Sequence, residues 1–74
     1  MKLHSHIVMD VRGDTRHTFN PESEVEVYEA MKRFDELLKT HIAARHLGEG
    51  RSELVRSFNP AHEEILFFRK IVGG

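Results

Sequence analysis

Apolar and polar residues alternate from Leu3 to Val11. Leu3, Ile7, Met9 and Val11 fall on one side and His4, His6 and Asp10 on the other, the period-two pattern of a half-buried strand. "RGDT" then supplies turn chemistry, and Thr15 to Asn20 reads as a return strand carrying Phe19. A two-residue loop at Gly13-Asp14 would place Phe19 on the face of Val8, away from the main apolar set. A three-residue loop, Gly13 to Thr15, puts Phe19 opposite Met9 and His17 opposite Val11, and this odd loop is the expected register.

Asn20-Pro21 suits the start of a helix, because Asn can cap and Pro is tolerated at the first helical position. Ser23 with Glu26 offers a competing capping box a turn later. Val27, Ala30, Met31, Phe34, Leu37 and Leu38 then recur at three- and four-residue intervals, which gives one apolar stripe on a helix over about 22–39. Glu22, Glu24 and Glu26 lie at its positive end and Lys39 at its negative end, as the macrodipole prefers.

Beyond Thr40, "GEG" at 48–50 is a turn, so 41–47 and 51–58 read as a second hairpin. A second "FNP" at 58–60 echoes the one at 19–21 and is repeated punctuation, not a duplicated domain. "ILFFRKIV" is β-branched and aromatic and ends in Gly-Gly, which favours one short turn after Pro60 and then a strand. The order strand, strand, helix, strand, strand, strand predicts one α+β domain over 1–74. It has a mixed sheet of four to five strands with the helix across one face, a roll of the β-grasp kind.

Composition narrows the function. The 74 residues contain no cysteine, so the domain folds on a single core without disulfides, and 39% apolar with 31% charged residues is ordinary for a globular protein. No segment approaches the ~20 apolar residues needed to span a bilayer, and "MKLHSHIVMD" has no signal-peptide core, so a cytoplasmic location without membrane contact is expected. The net charge of -1, with cations scattered singly or in pairs, gives no electrostatic basis for nucleic-acid binding.

The six histidines are the compositional oddity. His4 and His6 share a strand face, but a metal site needs a third ligand, and Asp10 or His17 would serve only in a particular register. His41 and His46 point to opposite faces. Exposed strand histidines and no metal are therefore expected. Ser5, Ser23, Ser52 and Ser57 lie in no nucleophile motif, so neither intrinsic catalysis nor a cofactor is expected. Arg12-Gly13-Asp14 spells an adhesion tripeptide, but these are also ordinary hairpin-turn residues.

The last feature is the tail. Gly73-Gly74 has no Cβ, so it can thread a narrow channel and deliver a terminal carboxylate to another protein's active site; fraying or leftover linker residues are the plainer explanation. Its context, "EEILFFRKIVGG", resembles the C-terminal segment of the ubiquitin-like sulfur carriers, such as the small subunit of molybdopterin synthase and the thiamine sulfur carrier. Glu63, Glu64, Ile65, Phe67, Phe68, Ile71, Gly73 and Gly74 match the pattern of the former position by position. Arg69-Lys70 stands where that pattern has Pro-Pro, and His62 where it has Gly.

The resemblance implies a non-enzymatic carrier. An ATP-dependent activating enzyme would adenylate the Gly74 carboxylate, and the acyl adenylate would then be converted to a thiocarboxylate or passed to a thiol or amine, with an acceptor enzyme as the second partner. From strand alternation, Ile65 and Phe67 are assigned to the core and Leu66, Phe68 and Lys70 to the open face as a partner-binding surface. The alternative is a plain interaction module, a homodimer or assembly subunit, using the apolar strand 65–72 with the diglycine incidental.

Overall fold

The computed structural model describes residues 2–71. Strands β1 (His4–Asp10) and β2 (Gly13–Phe19) precede helix α1 (Glu24–Leu37), and β3 (His41–Gly48), β4 (Arg51–Val55) and β5 (Glu64–Arg69) follow. They form one five-stranded sheet in the order β2-β1-β5-β3-β4. Both hairpins are antiparallel, β5 enters between them, and it runs parallel to β1 and antiparallel to β3. This α+β arrangement is compatible with a β-grasp roll.

The first hairpin corrects two expectations. Its loop is the two residues Val11-Arg12, with Asp10 paired to Gly13, so Phe19 lies opposite His4 and His17 opposite His6. Gly13 at φ 122° opens the return strand in a conformation that only glycine adopts easily, and Asp10 Oδ1 accepts from the Val11 amide at 3.0 Å. The Arg12-Gly13-Asp14 tripeptide therefore straddles the loop and the first residues of β2.

The even register also decides which face of β1 is covered. Phe19 belongs with His4, His6 and Val8, and that face lies under the helix. His6 is 1% exposed and its ring centre sits 5.3–5.9 Å from those of Phe19, Phe34, Phe58 and Phe67. His4 and His41 are buried as well, against the expectation of exposed histidines. Leu3 and Val11, assigned to the apolar side, are exposed, and only Ile7 of that set is buried.

Helix α1 begins later than Pro21. Ser23, in extended backbone conformation, is the cap: its Oγ accepts from the Glu26 amide at 3.3 Å, while the Glu26 carboxylate accepts from the Asn20 amide at 3.0 Å. Ala30 and Phe34 form the buried centre of the predicted stripe, with Leu37 and Leu38 partly buried beside them. Lys39 lies just past the last turn and pairs with Glu36 at 3.1 Å. The core cluster is Phe34, Ala43, Val55, Ile65 and Phe67.

The two Asn-Pro sites are the same turn twice. Asn20 O accepts from Ser23 N and Asn59 O from His62 N, while the Asn20 and Asn59 side chains accept from Glu22 N and Ala61 N at 2.9 Å each. Pro supplies the second turn position in both. The aromatic residues before them, Phe19 and Phe58, both reach the His6 ring, although β4 itself ends at Val55 and Phe58 lies beyond it.

Candidate functional site

Strand β5 is central because its residues are apolar on both sides, which suits a strand with neighbours on both edges. Ile65 and Phe67 point under α1 and are buried, as alternation predicts. Leu66 and Phe68 take the opposite face, where Leu66 is half-buried and Phe68 is 39% exposed.

Register assembles their neighbours. Ile7 and Met9 of β1 lie beside Leu66 and Phe68, and Ile42 and Ala44 of β3 lie on the other side. Leu54 of β4 pairs with Ala44. The open face is thus a continuous aliphatic and aromatic surface across four strands. Ile42, Leu54 and Phe68 are its exposed members, and Lys70 is exposed at its end. Sequence reasoning found Leu66, Phe68 and Lys70 on this surface and missed Ile42 and Leu54. Alternation within the second hairpin carried the signal for both.

The chain leaves the sheet where Lys70 N donates to Thr40 O at 2.9 Å, and the next residue, Ile71, is 95% exposed. Gly73 and Gly74, the predicted carrier tail, lie outside the described residues.

The covered face brings three histidines together without making a metal centre. His4, His6 and His17 share one face by register. His4 Nδ1, however, is 2.8 Å from Pro60 O and His6 Nδ1 is buried without a partner. Among the described residues no group of three or more His, Cys, Asp or Glu is placed to hold a metal ion. Burial, reinforced by the positive charge of Arg33 and by His17 and His4, pushes the His6 pKa down to about 4, so this imidazole is neutral near pH 7. Burial and Arg33 lower His17 in the same direction.

At the opposite end of the sheet from Lys70, a cleft of about 390 Å³ lies between Arg45, His46, His62 and Glu64. The His62 pKa is lowered by burial and Arg45 and raised in part by Glu53. Arg45 and Glu53 pair at 3.1 Å across β3 and β4, so the one guanidinium lining this cleft is already engaged. No helix among the described residues is long and apolar enough to cross a membrane.

No protein family, curated protein or solved structure matches this chain.

Proposed function

We propose that this chain is a ubiquitin-like carrier of the β-grasp type, whose Gly74 carboxylate is activated by an ATP-dependent enzyme for sulfur transfer or conjugation. The observation that carries this reading is the position of "EEILFFRKIVGG". Its apolar half is the central strand of the sheet, and Ile71, just past that strand, is almost fully exposed. A reactive end needs an anchored strand at its root and backbone freedom beyond it, which Gly73-Gly74 has by composition.

In the first step a carboxylate oxygen attacks the α-phosphorus of ATP and pyrophosphate departs, which converts a poor leaving group, oxide, into AMP. Hydrosulfide then attacks the carbonyl carbon and AMP leaves, giving the thiocarboxylate. This chain supplies no acid or base. It supplies the carboxylate and a docking face, for which Leu66, Phe68 and Lys70 with their neighbours Ile42 and Leu54 are the candidates.

Intact mass spectrometry tests the reading, after incubation with the source organism's activating enzyme, ATP and sulfide. The expected product is heavier by the exchange of one carboxylate oxygen for sulfur. Absence of any adenylate, thiocarboxylate or conjugate, together with unchanged cellular function after deletion of Gly73-Gly74, would overturn it.

The exposure of Ile42, Leu54 and Phe68 also favours a second reading, an interaction module in which the same face meets another copy or subunit. Sedimentation analysis distinguishes the two. A carrier stays monomeric and reacts, whereas a module associates and does not need the diglycine.

A further inference from the structure

The sheet is incomplete where β3 begins. β4 ends at Val55, opposite Ala43, so His41 and Ile42 pair with β5 on one side and have no β4 residue on the other. Lys70 N donates to Thr40 O, and backbone groups alternate in direction along a strand, so the N–H and C=O of His41 point into the lane that β4 vacates. Among the described residues no backbone hydrogen bond from His41 closes that lane.

A cleft of about 340 Å³ lies here, and its lining is of two kinds. Ile42, Leu54 and Val55 give aliphatic walls, while His41, Arg56 and Lys70 give basic groups, and among the described residues no Asp or Glu lines it. His41 is itself more than nine-tenths buried. Its Nδ1 lies 2.8 Å from Thr40 Oγ1, and its Nε2 is buried with no partner. A buried imidazole nitrogen left unpaired is costly, and here it borders a cleft with two cations at its mouth and an open backbone N–H.

We propose that this cleft binds a small aliphatic monocarboxylate of about the size of hexanoate. The carboxylate lies between Arg56 and Lys70, within reach of the open His41 backbone N–H, and the alkyl chain lies along Ile42, Leu54 and Val55. Volume limits the ligand, because the cleft is at the small end of the ~300–1,000 Å³ usual for ligand pockets. Charge selects the class: an amine or a dication meets only like charge. The site uses no residue beyond Lys70 and does not depend on the carrier chemistry proposed above.

Amide NMR titration of the full chain with sodium hexanoate tests the proposal. Saturable shifts are expected at His41, Ile42, Val55, Arg56 and Lys70. Acetate, which lacks the chain, and hexanol, which lacks the charge, should each bind at least about tenfold more weakly. The double variant Arg56→Glu, Lys70→Glu, both exposed positions, should weaken hexanoate by about tenfold or more while amides elsewhere keep their positions. Shifts that do not saturate or that scatter over the surface overturn the proposal, as does hexanoate binding no tighter than hexanol or undiminished in the double variant.

Discussion

The two faces of the sheet invert the usual expectation of polarity. Under α1 and its Phe34 lie the imidazoles of His4, His6 and His41 together with Phe19 and Phe67, whereas the open face carries Ile7, Ile42, Leu54, Leu66 and Phe68. Aromatic packing explains the covered face. A neutral imidazole is a flat ring that stacks edge-on against phenylalanines, and His6 touches four of them. The open face differs: Ile7 is buried and Leu66 half-buried among their neighbours, but Ile42, Leu54 and Phe68 stay exposed among the described residues. One face holds the fold, and the other leaves large apolar side chains exposed.

Substitutions one residue apart on β5 should break that comparison most sharply. Phe67→Ala empties the fully buried centre and should cost ~3–5 kcal/mol in urea unfolding, whereas Phe68→Ala should cost under ~1 kcal/mol. Equal effects would mean that the open face is also core.

Acid should act next, through His6. Its folded pKa of about 4 lies below the unfolded value of 6.5, so the unfolded chain takes up the proton first. Stability should therefore fall as the pH drops from about 6.5 towards 4 and level off below that, by up to ~3 kcal/mol from this residue. His17 and His62 act in the same direction. In His6→Leu, urea midpoints measured across this range should lose most of the slope.

A smaller effect is expected at the helix cap. Ser23→Ala removes the bond to the Glu26 amide and should cost ~1 kcal/mol, while Asn20→Ala should leave the helix start at Ser23 by circular dichroism and NMR.

The helix stripe, the second hairpin and the alternation of β5 were legible because each is set by local periodicity that no neighbour contradicts. β1 was misread because Leu3, Ile7, Met9 and Val11 outweigh two histidines on any hydropathy scale. Its face was settled instead by the loop at Val11-Arg12, which placed Phe19 beside His4. The signal was present in the parity of the hairpin: a two-residue loop puts Phe19, the largest apolar residue of the return strand, on the face of Val8 and the histidines. The open surface was half legible for a related reason. Leu66 and Phe68 follow from one strand; alternation in the second hairpin groups Ile42 with Ala44 and Leu54, but their place beside Leu66 and Phe68 comes from the pairing of β3 with β5.

The division of labour between the faces and the reactive end is tested most directly by the rate at which the activating enzyme, ATP and sulfide convert Phe68→Ala into the thiocarboxylate, followed by intact mass. The account predicts a rate at least about tenfold below that of the parent chain, at an essentially unchanged urea midpoint. An equal rate for the two proteins, or no conversion of the parent, would contradict it.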